Sequence, residues 1–222
     1  MIVIKKFVFN PFAENTYVVW DEKTHEGMIV EGMIVDPGCF EPSEEKELED
    51  FIAARNIIVK YLIVTHCHID HILGCRFVKD KYSPIYLVPK DDLPLLENAF
   101  KQAAAFGLEI ETPPLPRNYL NEDTKINLGN SSVKILSTPG HSPGEHCLYF
   151  LNEKFCITGD VLFQKSIGRT DLWGGNHTIL INSIKNKLLN LPDEVIIYPG
   201  HGENSKIGLE KSENPFLRQT NN

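Results

Sequence analysis

The sequence predicts an α/β protein built as a four-layer αββα sandwich, in which two β-sheets lie between two outer layers of helices. Short β-rich segments open the chain, helices and strands then alternate, and a second group of strands is followed by a helix–strand pair. No linker rich in Pro, Gly or Ser interrupts the 222 residues. We therefore predict a single domain that spans residues 1–222.

The first half of the chain is predicted to supply one sheet and its helices. Ser43 is the predicted N-cap of a helix whose apolar residues recur at helical spacing. Two further helices are predicted, one from Ile69 toward Lys79 and one over residues 91–106. Runs of β-branched and aromatic residues predict strands at residues 1–9, 16–20, 27–35, 61–65 and 85–88.

The second half is predicted to supply the other sheet. Three prolines mark residues 112–116 as a surface loop, and residues 176–190 form the last long predicted helix. A tandem pentad, residues 27–31 and 32–36, is interpreted as a lengthened hairpin to which we assign no chemistry. Strands are predicted at residues 125–128, 133–137, 147–151, 155–158 and 195–198.

Charge and composition exclude several classes of partner. The formal net charge is -8, which disfavours binding to a nucleic-acid backbone. The sequence has no signal-peptide pattern and no apolar run near the roughly 20 residues that span a bilayer. The five cysteines form no CxxC pair, as expected of reduced thiols in the cytoplasm. We expect a cytoplasmic protein that acts on a small molecule.

Histidines and aspartates follow the predicted strands at four points, each beside turn-forming residues. A His-x-His-x-Asp-His cluster directly follows the strand at residues 61–65, and two later histidines follow Pro-Gly pairs. Strand ends can turn such side chains toward a single point. The set consists of His66, His68, Asp70, His71, His141, Asp160 and His201.

This combination of residue types predicts a metal site. Imidazole and carboxylate groups suit zinc, and also iron or manganese. One such histidine alone would be read as an ordinary polar residue, and His25, His146 and His177 are interpreted in that way. Cys67 lies between two histidines that would point inward, so we interpret it as a packing residue.

The sequence resembles the metallo-β-lactamase superfamily, and most closely its small bacterial glyoxalase II-like hydrolases. The resemblance implies that His66, His68 and His141 hold one metal ion, and that Asp70, His71 and His201 hold a second. Asp160 would bridge the two ions, which are expected to be Zn²⁺, with Fe or Mn as alternatives. The resemblance is carried by residues 10–12, 14–17, 35–38, 66–71, 158–160, 166–171, 199–202 and 214–216.

The implied activity is hydrolysis of a small thioester or ester by a hydroxide that bridges the two ions. Asp70 would orient this hydroxide and carry a proton. Arg169 is the first candidate for contact with a substrate carboxylate, and a structural ion pair with Asp171 is an equal alternative. Lys165 is a second candidate contact, and Trp173 is a candidate wall of the cleft.

Other activities remain open at this stage. A persulfide dioxygenase resembles this sequence and would use one iron held by His66, His141 and Asp160. A lactonase or β-lactamase is a further alternative, although an antibiotic-degrading enzyme would be expected to carry a signal peptide. A non-enzymatic role in metal storage is the last alternative. Full-length glyoxalase II enzymes continue into a glutathione-binding helical region, so we expect a substrate other than S-lactoylglutathione.

Overall fold

Two six-stranded β-sheets lie face to face at the centre of the fold. The computed structural model describes residues 1–22 and 30–218. The first sheet has the order β1-β2-β3-β4-β5-β6, antiparallel over its first three strands and parallel from β3 onward. Its strands are Ile2–Phe9 (β1), Glu14–Asp21 (β2), Val30–Val35 (β3), Ile57–Ile63 (β4), Ile85–Pro89 (β5) and Asn118–Leu120 (β6).

The second sheet is built from the second half of the chain. Its order is β14-β13-β10-β9-β8-β7, with one parallel pair, β10 and β13. A separate two-stranded hairpin, Leu162–Phe163 (β11) and Ser166–Ile167 (β12), lies beside it. The strands of the sheet are Ile126–Leu128 (β7), Ser131–Ser137 (β8), His146–Phe150 (β9), Phe155–Gly159 (β10), Ile196–Pro199 (β13) and Ser205–Lys206 (β14).

Helices cover the outer face of each sheet. The first sheet is covered by Pro42–Ala54 (α1), Ile69–Ile72 (α2), Cys75–Tyr82 (α3), Leu93–Glu97 (α4) and Ala99–Ala105 (α5). The second is covered by His177–Ser183 (α6), its π-helical continuation Ile184–Leu188, and Ile207–Glu213 (α7). In the part of the chain that the structure describes, no helix has the length and apolar character needed to cross a membrane.

The alternation of side chains along the strands explains the layering. In β2, Tyr17 and Val19 point toward the second sheet, whereas Val18 and Trp20 point toward the helices, and all four are buried. A strand that buries both faces reads as a continuous apolar run, as residues 17–20 of β2 do. Three hydrophobic layers therefore separate four layers of secondary structure, which confirms the predicted αββα sandwich.

Two helix predictions differ from the structure. The first helix begins at Pro42, so Ser43 lies in its first turn; the Glu44 carboxylate instead accepts the backbone N–H groups of Phe40 and Glu41. The helix predicted over 91–106 is split into a 3₁₀ turn, α4 and α5. Asn98 lies at the α4–α5 break, where its side chain bonds to a backbone carbonyl and competes with the helical pattern.

Three more segments complete the comparison with the sequence. The helix predicted from Ile69 toward Lys79 is two helices, α2 and α3. Residues 27–29 of the tandem pentad lie outside the described residues, and the second pentad forms most of β3. The short elements β6, β11, β12, β14 and α7 were not predicted, because two or three residues give too little periodicity and α7 lies beyond His201, the last residue of the metal-site pattern.

Candidate metal centre

The histidines and aspartates of the motif converge at one edge of the two sheets. His66 follows β4 of the first sheet, whereas Asp160 and His201 follow the parallel neighbours β10 and β13 of the second. Because carboxyl ends of parallel strands meet at the same edge, Asp160 and His201 are brought together. A β-bridge between Glu14 and His201 joins this edge to the first sheet.

The first ligand group consists of His66, His68 and His141, all buried. Nδ1 of His68 faces Nε2 of His141 at 2.8 Å. Nδ1 of His141 lies 2.7 Å from the Arg169 carbonyl oxygen, which can only accept, so this nitrogen carries the proton and Nε2 has a free lone pair. In the same way, Nδ1 of His66 lies 3.1 Å from the Thr65 hydroxyl and Nε2 faces inward.

The second ligand group consists of Asp70, His71 and His201. Oδ2 of Asp70 lies 3.0 Å from Nε2 of His201 and 3.5 Å from Nε2 of His71. All three side chains therefore present a donor atom to the same small volume.

Asp160 lies between the two groups. Its Oδ1 is 3.6 Å from Nε2 of His71, and its Oδ2 is 3.6 Å from Nε2 of both His141 and His201. One carboxylate thus reaches the first group through His141 and the second through His71 and His201.

Several buried atoms of this cluster make no hydrogen bond: His66 Nε2, His71 Nε2 and Asp160 Oδ1. Leaving such polar atoms buried without partners costs about 1–3 kcal/mol each. The candidate ligand atoms of each group lie within 4.8 Å of one another. Two divalent cations would satisfy these atoms together, so the donor set fits a pair of metal ions.

Burial and neighbouring carboxylates tune the two groups differently. Burial lowers the pKa of His68 to about 3 and also lowers the pKa of His66, which keeps both imidazoles neutral. Burial also tends to lower the pKa of His71 and His201. For His71, the negative charges of Asp70 and Asp160 and the contact with Asp36 outweigh burial and raise the pKa. For His201, a hydrogen bond with Asp70 and the charge of Asp160 do the same to its pKa.

Two carboxylates behind the ligands were not assigned a role from the sequence. Asp36 accepts the backbone N–H and the hydroxyl of Thr65, both at 2.6 Å, and its Oδ2 lies 3.2 Å from Nδ1 of His71. Glu145 accepts the backbone N–H of Asp160 at 2.7 Å. Such contacts fix the orientation of a ligand. Asp36 follows β3 as Asp160 follows β10, so its place at a strand end could have revealed it.

A third carboxylate, Asp92, ties two ligand loops together. It accepts the backbone N–H of Cys67 at 3.0 Å, the Ser142 hydroxyl at 2.8 Å and the backbone N–H of Gly144 at 2.6 Å. Asp92 therefore holds the segment that carries His66 and His68 beside the loop that carries His141. Nothing in the local sequence of Asp92 indicates this role.

Gly200 allows the closest approach of backbone to the cluster. A Cβ atom at this position would lie 2.2 Å from Asp160 Oδ1 and 2.7 Å from His71 Cε1. Any side chain here would displace the ligands, which gives a steric reason for the Pro-Gly-His order before His201.

A cleft of about 420 Å³ opens onto both ligand groups. Its walls are largely apolar and include Phe12, Phe106 and Phe163, and its polar lining includes Asp70 and Arg169. The Arg169 guanidinium forms a fork with Asp171 at 2.7 and 2.8 Å and stays mostly exposed at the cleft. Both sequence alternatives for Arg169 are therefore compatible with its position.

Lys165 does not line this cleft. It occupies the turn between β11 and β12, and its ammonium group pairs with Glu213 at 3.0 Å. Contact of Lys165 with substrate stays a prediction.

The remaining histidines and cysteines lie apart from the ligand groups. Nδ1 of His146 bonds to the Gly144 carbonyl, and His177 begins α6. His25 lies outside the described residues. Cys67 packs in the hydrophobic layer below the helices, as interpreted, and all five cysteines are buried free thiols.

Comparison with known proteins agrees with this architecture. The metallo-beta-lactamase superfamily pattern matches residues 9–201. Hydroxyacylglutathione hydrolase GloC from Haemophilus influenzae is 36% identical over 208 residues, 93% of each chain. The structure of BLEG-1 B3 metallo-beta-lactamase has a TM-score of 0.86 at 33% identity and covers 97% of this chain and 99% of its own. The structure of TTHA1623 in a di-iron-bound form has a TM-score of 0.83 at 35% identity, and the match covers 96% of this chain and 100% of TTHA1623.

The chain belongs to the metallo-β-lactamase superfamily. Within that superfamily it is a metallo-hydrolase, and a glyoxalase II enzyme is among its homologues. Its His and Asp clusters are candidate binding sites for divalent metal ions.

Proposed function

We propose that this protein is a binuclear metal-dependent hydrolase that cleaves a small thioester or ester, as glyoxalase II-like enzymes do. The observation that carries the proposal is the position of Asp160, within 3.6 Å of ligand nitrogens from both groups. A carboxylate so placed would bridge two ions, and both groups face a cleft large enough for a small substrate.

The proposed ligand assignment follows the two groups. His66, His68 and His141 would hold one ion, Asp70, His71 and His201 the other, and Asp160 both. We propose zinc as the metal, because a set dominated by imidazoles suits it. The similarity to a protein in a di-iron-bound form makes iron the alternative to be separated by metal analysis.

The chemistry divides between the metal pair and the side chains. When bound, two divalent ions lower the pKa of a shared water and polarise the carbonyl group of the substrate. Asp70, whose pKa lies below its usual range because His71 and His201 outweigh burial, would stay ionised and accept a hydrogen bond from that water. Arg169 would attract an anionic group of the substrate to the mouth of the cleft.

Glutathione thioesters belong in the substrate search. A relative named hydroxyacylglutathione hydrolase matches this chain over 93% of its own length. A protein of about this length therefore carries that name. This finding weakens our expectation, based on the short C-terminal region, that glutathione thioesters are not substrates.

The test is hydrolysis of a panel of acyl-glutathione and acyl-CoA thioesters by the zinc-loaded and iron-loaded protein, with thiol release as the readout. We expect hydrolysis of at least one thioester, and its loss in Asp70→Asn. Lys134→Gln, a substitution of an exposed lysine, is the control and should leave the rate of hydrolysis unchanged. A metal-saturated protein that cleaves none of the thioesters contradicts the proposal.

β-Lactam hydrolysis is the second candidate, because a protein named as a B3 metallo-beta-lactamase is 33% identical over nearly the whole chain. A chromogenic cephalosporin belongs in the same panel. Turnover of the cephalosporin without turnover of thioesters would favour this candidate. Oxygen consumption with glutathione persulfide by the iron-loaded protein would instead favour the dioxygenase, and lactone opening would favour a lactonase.

A further inference from the structure

A second groove continues from the metal cleft along α4 and α5. Its volume is about 470 Å³. Gln102 lines both the groove and the cleft, so the two are adjacent. We call it the Trp173 groove, and define it by Pro94, Leu95, Asn98, Lys101, Gln102 and Trp173.

The floor of the groove is tied to the metal-binding segment. The Gln102 side-chain amide donates to the Cys67 carbonyl at 3.0 Å and to the Leu95 carbonyl at 2.9 Å. Cys67 lies between the ligands His66 and His68. The groove is therefore held in fixed register with the ligands, as a subsite for one substrate requires.

Trp173 forms the opposite wall, and this residue is 58% exposed although its loop is tied to the neighbouring backbone. Gly174 has a φ of +78°, and a Cβ atom there would lie 2.4 Å from Pro143. The Asn176 backbone N–H donates to the Gly140 carbonyl at 2.7 Å, which fixes this loop beside the His141 loop. A large ring on a rigid loop is well suited to stack against a flat ligand group.

Lys101 supplies a positive charge on the α5 side of the groove. Its ammonium group donates to the Asn98 amide oxygen at 2.7 Å, a neutral partner that leaves the charge uncompensated by that contact. Arg169 is a second cation, which lines the metal cleft and is paired with Asp171. The groove thus combines an aromatic face with a cation that can attract an anion.

We propose that the Trp173 groove binds the leaving-group half of the substrate, a thiol whose far end carries a planar ring and a negatively charged group. This inference rests on the proposed thioester hydrolysis. The acyl group would occupy the metal cleft, among Phe12, Phe106 and Phe163, and the thiol chain would pass Gln102 into the groove. The choice of thiol would then be made by Trp173 and Lys101 rather than by the metal ligands.

The test measures binding of thioethers that cannot be hydrolysed, by calorimetry on the full metal-loaded chain. S-methyl coenzyme A carries both ring and charge, S-methylglutathione carries charge without a ring, and S-methylpantetheine carries neither. We expect S-methyl coenzyme A to bind roughly tenfold more tightly than S-methylpantetheine. It should also quench the fluorescence of Trp173, since the other tryptophan, Trp20, is buried.

Variants assign the effect to the groove. Trp173→Ala should weaken binding of S-methyl coenzyme A roughly tenfold and leave S-methylpantetheine unchanged, whereas Trp173→Phe should retain most of the affinity. Lys101→Gln should weaken both charged probes by about threefold. Phe216→Ala, at another exposed aromatic residue, and Lys134→Gln are the matched controls.

Three results would overturn the inference: equal binding of the three probes, no binding of any, or binding that Trp173→Ala leaves unchanged. Tightest binding of S-methylglutathione would also overturn it, while leaving thioester hydrolysis standing. If S-methyl coenzyme A binds through Trp173 but no thioester is cleaved, the proposed function fails and the groove assignment survives.

Discussion

The two ligand groups differ in exposure and in charge. The two most exposed ligands, Asp70 and His201 with side-chain exposures of 14% and 28%, belong to the second group, whereas His141 of the first has 3%. His71 of the second group is fully buried, and His68 and His141 of the first also line the cleft. An open ligand set leaves room for water or substrate. We infer that both groups face the cleft and that the second is the more open of the two.

Their supporting contacts are closer to each other in kind. In the first group, the Arg169 carbonyl lies behind His141, and Nδ1 of His66 faces both the Thr65 hydroxyl at 3.1 Å and the buried Glu145 carboxylate at 3.5 Å. In the second group, the Asp36 carboxylate lies 3.2 Å from Nδ1 of His71. Each group therefore has a buried carboxylate behind one histidine, and the one behind the second group is nearer.

Asp160→Ala should have the largest effect, because it removes the only side chain proposed to serve both ions. Loss of an orienting partner behind a ligand costs about 10–100-fold, so loss of a bridging ligand should lower kcat/KM by more than about 100-fold. Metal content should fall from two ions to one. Asp193→Ala, at an exposed carboxylate, is the control. Two retained ions in Asp160→Ala would refute the bridging assignment.

Asp36→Asn tests the brace that faces His71 directly and reaches His66 only through the Thr65 hydroxyl. The amide places an N–H donor where the carboxylate now accepts from Thr65 and faces His71. We expect about 10–100-fold weaker binding of the ion held by the second group and a smaller loss at the first. Competition with a chromogenic chelator measures both constants, with Asp193→Asn as control. Equal weakening of both ions would show that Asp36 supports the two groups alike.

Acid should release the two ions in order. Metal binding requires neutral imidazoles, so a histidine with a raised pKa loses its metal at higher pH. The pKa of His201 is raised because Asp70 and Asp160 outweigh burial, whereas burial lowers that of His68 to about 3. As the pH falls, the second group should release its ion first. Dialysis at decreasing pH with metal analysis tests this order, and simultaneous release would contradict it.

Arg169→Ala should have the smallest effect. The side chain is exposed at the cleft, so its removal should raise KM for an anionic substrate severalfold and leave kcat and thermal stability unchanged. His141 bonds to the backbone carbonyl of this residue, which the substitution keeps. Loss of metal in Arg169→Ala would therefore show that the guanidinium supports the site and does not only meet substrate.

The sequence predicted the residues that converge but not those that hold them in place. His66 to His71 lie within six positions, and the other candidates each follow a strand, so local pattern was sufficient. Asp92 contacts Ser142 and Gly144, about 50 positions away, and such contacts exist only after the chain has folded. The same holds for Glu145 behind Asp160.

Local competition explains where the fold predictions were inexact. Residues 91–106 have helical composition, yet Asp92 turns inward to bind two loops and the Asn98 side chain bonds to the Pro94 carbonyl, which interrupts the helix. The layers themselves were predictable, because segments such as residues 17–20 of β2 bury both faces and read as apolar runs. Lys165 illustrates the opposite case, since its position beside residues 166–171 gave no sign of its pairing with Glu213.

Metal analysis of the protein purified without chelators tests the binuclear site most directly. Elemental quantification should give two divalent ions per chain in the wild-type protein, and one in both Asp160→Ala and His201→Ala. A single ion per chain in wild-type protein saturated with zinc or with iron would contradict the binuclear site and favour the mononuclear alternative.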